Sequence, residues 1–336
     1  MGIKIGAIET RNRVFLAPMS GVTDEPFRAV AQACAAGLVV SEMVASEELV
    51  RARPDMVRRA KGAGTITPFV IQLAGREARW MEEGARLAED LGAGVIDINM
   101  GCPARQVTGG LSGSALMRDL DHATTLVEAV VSAAKVPVTL KMRLGWDHGS
   151  LNAPELARRA QDAGVSLVTV HGRTRCQFYK GRADWPAIAK VREAISIPLI
   201  ANGDADTLAD VQAMLRASGA DGIMMGRAAY GRPWWPGVIA ERLDPGSGIA
   251  EPSLEEEACI VASHHAAIIS HHGPTHGNRI ARKHVGWAIT RLEERGLLGA
   301  TAANCWRNQL LRTGNNGEVA RGLGDVYADC ALRKAA

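Results

Sequence analysis

The 336-residue chain is poor in aromatic residues, which make up 4% of it. This scarcity argues against the stacking platforms on which single-strand-binding proteins hold successive bases. The chain also lacks an excess of either charge, because its 39 lysines and arginines nearly balance its 36 aspartates and glutamates. A net charge of +3 neither requires nor excludes a polyanionic partner, so the distribution of charge matters more than its total.

The six cysteines include no CxxC pair and no zinc-ligand spacing. The sequence also lacks any run of 18 uncharged apolar residues and the apolar core of a signal peptide. The clustered histidines between 264 and 276 lack cysteine or carboxylate partners at ligand spacing. We therefore expect a monomeric, cytoplasmic protein with free thiols, no metal and no membrane-spanning segment.

Neither a Walker loop nor a GxGxxG turn occurs, which argues against a P-loop nucleotide site. The first apolar run is followed by Ala17-Pro18-Met19-Ser20-Gly21, which is not a dinucleotide-binding turn. This absence disfavours an open doubly wound sheet, the main alternative among α/β folds.

What the chain does contain is a repeated unit, a short apolar run followed by a helical pattern. Eight such runs begin near residues 14, 38, 68, 95, 137, 166, 198 and 221. Eight units in this length predict a (β/α)8 TIM barrel, and the nearly continuous apolar runs suit parallel strands covered on both faces. A breaker-rich segment at 244–252 then separates the barrel, 1–243, from a predicted C-terminal all-α domain at 253–336.

The fourth run, Val95–Asn99, leads into a glycine-rich loop that contains Cys102. Taken alone, Cys102 fits a buried core thiol better than an exposed reactive one. Polar residues end nearly every predicted strand, where TIM barrels carry their active sites, although each could simply cap a helix. The glycine turns 202–204 and 226–227 follow strands seven and eight, where such barrels commonly bind phosphate.

An ordered set of motifs extends over about two-thirds of the chain. They are APMSGVTD from Ala17, SEM from Ser41, QL from Gln72, DINMGCP from Asp97, KMR from Lys141, HGRT from His171, ANGD from Ala201 and MGR from Met225. In this order they resemble the tRNA-dihydrouridine synthases, in particular the bacterial B-type branch. A weaker match continues through 279–287.

The resemblance implies a flavoenzyme with FMN in the barrel mouth. Ala17, Pro18 and Met19 would lie against the flavin ring, and Gln72 and Lys141 would bind its edge. The other implied cofactor residues are His171, Asn202, Gly203, Asp204, Gly226 and Arg227. The implied substrate residues are Asn99, Arg105, Arg143, Arg279, Arg282 and Lys283.

The resemblance also gives Cys102 a role. NADPH or NADH would reduce FMN, the reduced flavin would pass hydride to C6 of a uracil ring in the D-loop of tRNA, and Cys102 would give a proton to C5. A neutral thiol suits this role, since its usual pKa of about 8.5 keeps it protonated at neutral pH. The target base must leave the folded RNA to reach the pocket.

The predicted helical domain is basic where tRNA would be held. Between His276 and Arg312 seven lysines and arginines face two glutamates, a local balance of +5. A solvated helix face is the alternative interpretation. Two other functions stay open from the residues, an FMN barrel acting on a free pyrimidine and a non-catalytic RNA-binding regulator. The basic helices disfavour the first, and the presence of Cys102, Lys141 and His171 disfavours the second.

Overall fold

The structure, a computed structural model, describes residues 1–62 and 64–335, with side chains up to 332. Residue 336 of the predicted helical domain lies outside the described residues. The strands within them are β1 (Lys4–Ile5), β2 (Ile8–Glu9), β3 (Val14–Leu16), β4 (Leu38–Val39), β5 (Val44–Ala45), β6 (Val70–Ala74), β7 (Val95–Met100), β8 (Val138–Arg143), β9 (Leu167–His171), β10 (Leu199–Asn202) and β11 (Gly222–Met225).

Helices alternate with these strands and then continue alone. They are α1 (Glu25–Ala33), α2 (Ser46–Val50), α3 (Pro54–Arg59), α4 (Ala78–Asp90), α5 (Arg105–Gly109), α6 (Leu120–Ala133), α7 (Ala153–Asp162), α8 (Trp185–Ala194), α9 (Leu208–Ser218), α10 (Trp235–Leu243), α11 (Leu254–His272), α12 (Pro274–Glu294), α13 (Ala300–Leu310) and α14 (Asn316–Ala335).

Nine parallel strands form one curled sheet in the order β4-β3-β11-β10-β9-β8-β7-β6-β5. Its two edge strands are β4, which lies within the predicted second strand at 38–42, and β5, which begins just after that strand, so the sheet closes into a barrel through residues 38–45. Ser41 bridges the split: its N–H donates to Val70 O at 3.1 Å, and its Oγ accepts from Gln72 N at 2.9 Å. The predicted TIM barrel is confirmed.

The apolar runs explain why the strands lie inside. Every residue of β7 is buried, and so is every residue of β6, β9, β10 and β11. The helical segment after the Cys102 loop is interrupted, because a 3₁₀ helix covers Gly113–Arg118 and α6 starts only at Leu120. Asp119 causes the break, since its side chain caps α6 by accepting from His122 N at 3.0 Å.

Four helices, α11–α14, follow the barrel. Ser253 caps α11 in a capping box with Glu256, as the sequence indicates. Val261 and Val285 of these helices share one continuous buried core with Phe27 of the barrel helix α1. The segment 244–252 is fastened to the barrel, because Asp244 accepts two hydrogen bonds from Arg13 at 2.7 and 2.8 Å. The predicted domain boundaries stay a prediction.

Within the described part of the chain, no helix is both long enough and apolar enough to cross a lipid bilayer.

The junction between barrel and C-terminal helices yields a stability prediction. Gly231 has φ +72°, and a Cβ there would overlap the backbone carbonyl of Trp287 in α12. Gly246 has φ +84° with no neighbouring atom, so it shares the backbone strain without the overlap. We expect Gly246→Ala to lower the free energy of unfolding by about 1–2 kcal/mol and Gly231→Ala by about 3 kcal/mol or more. Equal losses in thermal or urea unfolding would contradict the proposed close junction.

Candidate functional site: the mouth of the barrel

A cavity of about 1050 Å³ opens at the C-terminal ends of the barrel strands. Most of the predicted site residues line it together. They are Ala17, Pro18, Met19, Gln72, Asn99, Cys102, Lys141, Arg143, His171, Asn202, Gly203, Asp204, Gly226 and Arg227. These residues lie on, or directly after, seven strands, so the barrel brings together side chains that are far apart in sequence.

Cys102 lies at the rim of this cavity and is only partly buried, unlike the core cysteines Cys34 and Cys330. The backbone N–H and C=O groups of Cys102 both form hydrogen bonds that hold the loop. Asn99 Oδ1 accepts from Cys102 N at 2.9 Å, and Ser114 Oγ donates to Cys102 O at 2.7 Å. Burial raises the pKa of the Cys102 thiol above its usual value, although nearby Arg143 and Lys141 oppose this rise. The thiol is therefore neutral at physiological pH.

A buried polar network joins neighbouring strands β6, β7 and β8. Its central carboxylate, Asp97, was not among the predicted site residues. Asp97 accepts from Gln72 Nε2 at 2.6 Å and from Thr139 Oγ1 at 2.6 Å. Burial raises the pKa of Asp97 to about 6, against the lowering effect of these two hydrogen bonds and of Lys141. The signal in the sequence that could have identified Asp97 was a charged residue within the otherwise apolar run of β7.

Lys141 projects from the middle of β8 into the cavity, where its Nζ donates to Asn202 Oδ1 at 3.1 Å. Burial, assisted by the charge of Arg143, lowers the pKa of Lys141 to about 8. The ammonium is thus still largely protonated at pH 7 and is poorly hydrated. Asn202 in turn is oriented by donating to Met224 O at 2.7 Å.

Arg143, predicted to face the substrate, is almost completely buried. Its guanidinium donates to the carbonyls of Gly101, Thr174 and Phe178 at 2.8, 2.9 and 2.8 Å. Burial lowers the pKa of Arg143 to about 10, which leaves it charged. Arg143 therefore ties the loop of Cys102 to the loop after β9 as well as lining the cavity.

The opposite end of the cavity carries an excess of positive charge. Asp204 forms ion pairs with Arg173 and, at 3.1 Å, with Arg227. Burial alone would raise the pKa of Asp204, but the hydrogen bonds from Arg173 and from the Ala183 N–H, together with the charges of Arg173 and Arg227, outweigh burial and lower that pKa. Two guanidiniums against one carboxylate leave a net charge of +1. The sequence contained Arg173 in its HGRT motif but offered no sign of this ion pair.

His171 beside this group is neutral, because burial and the surrounding cations lower its pKa well below the usual value. Arg173 Nη1, which can only donate, lies 3.3 Å from His171 Nε2, so the proton of the neutral ring is on Nδ1. Gly203 has φ +124°, and a Cβ there would come within 2.8 Å of the His171 ring. Only glycine permits this close approach.

These features fit FMN, the cofactor implied by the sequence resemblance. Ala17, Pro18, Met19 and Met224 form an apolar wall for a flat ring. Gln72 and Lys141 supply hydrogen-bond donors along one edge. The net positive end near Gly203 and Arg227 suits a phosphate.

The remaining predicted residues lie outside this cavity. Arg105 is exposed at the start of α5, and Arg279 and Arg282 are exposed on α12. Lys283 donates a hydrogen bond to Gly21 O and so joins α12 to the barrel mouth. Arg291, which the sequence reasoning did not select, lines the cavity and donates to Tyr230 O at 3.0 Å.

Among the described residues, no group of three or more histidine, cysteine or carboxylate side chains is arranged to hold a metal ion.

Solved structures place this fold among TIM-barrel enzymes. Morphinone reductase aligns over 75% of this chain and 90% of its own, with a TM-score of 0.53 and 16% identity. An old yellow enzyme homologue from Zymomonas mobilis aligns over 75% of this chain and 96% of its own, with a TM-score of 0.51 and 16% identity. At such identities the likeness concerns the fold alone, and it defines the class as a TIM barrel.

Sequence comparison identifies the family. The family model described as dihydrouridine synthase (Dus) matches residues 15–322. A probable tRNA-dihydrouridine synthase of Rhizobium leguminosarum bv. phaseoli is 58% identical over 284 residues, 84% of this chain and 87% of that protein. The tRNA-dihydrouridine synthase B of Xanthomonas axonopodis pv. citri is 45% identical over 285 residues, 85% of this chain and 86% of that protein. The chain belongs to the dihydrouridine synthase family and is an oxidoreductase acting on a CH–CH bond, which confirms the predicted resemblance.

The environment of Cys102 predicts how its reactivity depends on pH. Alkylation by iodoacetamide requires the thiolate, and a raised pKa keeps the thiolate fraction small. We expect the alkylation rate of Cys102 to rise about tenfold per pH unit between pH 7 and about pH 8, because the thiolate is still a small fraction there. Peptide mass spectrometry can follow Cys102 separately, with the exposed Cys176 as an internal measure of the reagent. A plateau below about pH 8 would contradict a raised pKa.

Proposed function

We propose that this enzyme reduces the C5–C6 double bond of a uridine in the D-loop of tRNA, with FMN as cofactor and NADPH or NADH as reductant, in the cytoplasm. The observation that carries the proposal is a neutral thiol, Cys102, at the rim of the same cavity that holds the buried ammonium of Lys141. An acid and a cation at one pocket suit a hydride transfer that is completed by protonation.

The chain supplies the binding groups for FMN. Ala17, Pro18 and Met19 would pack against the ring, and Arg227 with the backbone at Gly203 and Gly226 would hold the phosphate. When bound and reduced, FMN would supply the hydride for C6 of the uracil ring. Lys141 would favour the negative charge of the reduced flavin, because a buried cation acts strongly where water is excluded.

Cys102 would deliver the proton to C5. Its raised pKa keeps the proton on sulfur until the carbon becomes basic, and its position at the rim leaves the thiol accessible to a base that enters the cavity. Asn99 and Arg143 hold the loop of Cys102 through Cys102 N and Gly101 O. The same two residues line the cavity and would bind the uracil edge.

Residues 253–336 would hold the tRNA. Arg279 and Arg282 are exposed three positions apart on α12, so they lie on one face of the helix. Guanidinium groups in such a row suit successive phosphates, and backbone contacts of this kind supply most non-specific affinity for nucleic acid. Arg105 on α5 is exposed close to the loop of Cys102 and would add a contact near the target base.

The proton-donor role predicts a selective loss in Cys102→Ala. This variant keeps the cavity wall and the buried cation, so we expect it to bind FMN and oxidise NADPH at normal rates. The formation of dihydrouridine should fall by a factor of about 10²–10⁴, the usual contribution of a general acid. Flavin absorbance, NADPH consumption and mass spectrometry of digested tRNA measure the three properties. Normal product formation by the variant would refute this role, and a wild-type protein that makes no dihydrouridine would refute the proposed function.

The RNA-binding role of α12 predicts a change in salt dependence. Replacing both Arg279 and Arg282 by glutamine should weaken tRNA binding and reduce the slope of log K against log salt by about one for each phosphate that the helix no longer neutralises. A matched control is the pair Arg86→Gln and Arg158→Gln, which removes two exposed arginines from the barrel helices α4 and α7. Equal slopes in both double variants would mean that α12 is an ordinary solvated face.

A further inference from the structure

A row of hydrogen bonds leads from a buried carboxylate to the loop of Cys102. Asp97 Oδ2 accepts from Gln72 Nε2 at 2.6 Å, and Gln72 Oε1 accepts from Asn99 Nδ2 at 2.7 Å. Asn99 Oδ1 then accepts from Cys102 N at 2.9 Å and from Gly101 N at 3.1 Å. Asp97, Gln72 and Asn99 are all buried, so water does not compete for these bonds.

The carboxylate gives this row its direction. An ionised carboxylate only accepts hydrogen bonds, so Gln72 must turn its NH₂ group toward Asp97 and its oxygen toward Asn99. Asn99 must then offer its own NH₂ group to Gln72, which leaves its oxygen for the two N–H groups of the loop. If both amides turned round, the NH₂ group of Asn99 would face these N–H groups, and the loop would lose its acceptor.

The neighbours of Asp97 support the ionised form. Its other oxygen accepts from Thr139 Oγ1 at 2.6 Å, and the charge of Lys141 favours the carboxylate. Burial opposes ionisation, but it raises the pKa of Asp97 only to about 6, so the group is ionised at pH 8. The backbone of Gln72 is fixed independently by its bond to Ser41 Oγ.

We propose that Asp97 is a positioning residue, whose carboxylate sets the orientation of the Gln72 and Asn99 amides and thereby holds the loop of Cys102 in its catalytic position. The effect on catalysis rests on the proposed function of Cys102. The effect on the order of the loop does not, because it concerns only the protein.

The test is a pair of substitutions that reverses the donor and acceptor roles along the row of hydrogen bonds from residue 97 through Gln72 to residue 99. In Asn99→Asp alone, carboxylates stand at both ends, so Gln72 Oε1 faces a carboxylate oxygen and the loop should loosen. In the double variant Asp97→Asn with Asn99→Asp, the new Asn donates to Gln72 Oε1 and Gln72 Nε2 donates to the new Asp. The new Asp still accepts from Gly101 N and Cys102 N, so the loop should be held again.

The readout is the alkylation of Cys102 by iodoacetamide at pH 8, relative to that of Cys176. We expect Asn99→Asp to speed the alkylation of Cys102 by about five- to tenfold, the effect of losing the hydrogen bond between the Gln72 and Asn99 amides. Adding Asp97→Asn should restore the wild-type rate. If the single variant does not fold, recovery of folding and of a protected Cys102 in the double variant carries the same information.

Two controls separate orientation from other effects. The double variant Asp97→Leu with Asn99→Asp removes the same negative charge as Asp97→Asn with Asn99→Asp, but leucine offers Gln72 no donor. If charge repulsion alone loosened the loop, both double variants would restore the wild-type alkylation rate equally well. Thr139→Val removes a hydrogen bond to Asp97 without touching the amides, so it should leave the alkylation of Cys102 unchanged at pH 8. Rescue by Leu as complete as by Asn, or no rescue by Asn, would overturn the proposal.

The catalytic consequence is measured separately. Asp97→Asn allows either orientation of the amides, and we expect it to retain flavin while forming dihydrouridine about tenfold more slowly. Unchanged product formation would overturn the catalytic part. A wild-type protein without this activity would refute the proposed function, whereas the alkylation experiment would still decide whether Asp97 positions the loop.

Discussion

The mouth of the barrel depends on the pairing of buried polar groups. Asp97, Lys141, Arg143 and Arg173 are charged groups held in an interior where an unpaired charge costs several kcal/mol. Each is therefore bound to groups from a neighbouring strand or loop, and removing one would leave another without its partner. This mutual dependence gives the site a single arrangement, because no member can turn without exposing a donor or acceptor to apolar surroundings.

The same pairing sets the protonation states that the chemistry needs. Burial, assisted by the surrounding cations, keeps the His171 imidazole neutral, while the thiol of Cys102 keeps its proton because it is partly buried. Lys141 stays largely protonated even though burial lowers its pKa to about 8. One cavity thus holds a neutral acid and a buried cation, the two protonation states that hydride transfer followed by protonation requires.

The sequence predicts the fold well because its eight apolar runs and polar strand ends are local signals. It predicts the members of the cavity for the same reason, since strand ends of a barrel converge. It does not predict the split of the second strand at Ser41, the interruption of the helix at Asp119, or the ion pair of Arg173 with Asp204. These features depend on contacts between distant segments, which no spacing in a single sequence records. The bond of Lys283 to Gly21 O shows the same limit, because nothing in the sequence indicates that this lysine of a basic helix reaches the barrel mouth.

That bond bears on how a large RNA and a small cavity act together. Lys283 fastens α12 to the turn that follows Met19 on the apolar wall, and Arg291 fastens the same helix to Tyr230 in the loop after β11. The rings of Tyr230 and Trp287 stack at 3.9 Å between the two attachments. A helix fixed at these points keeps a constant distance from its exposed arginines to the cavity. In the proposed function, this fixed distance would limit which uridine of a bound tRNA could enter the cavity.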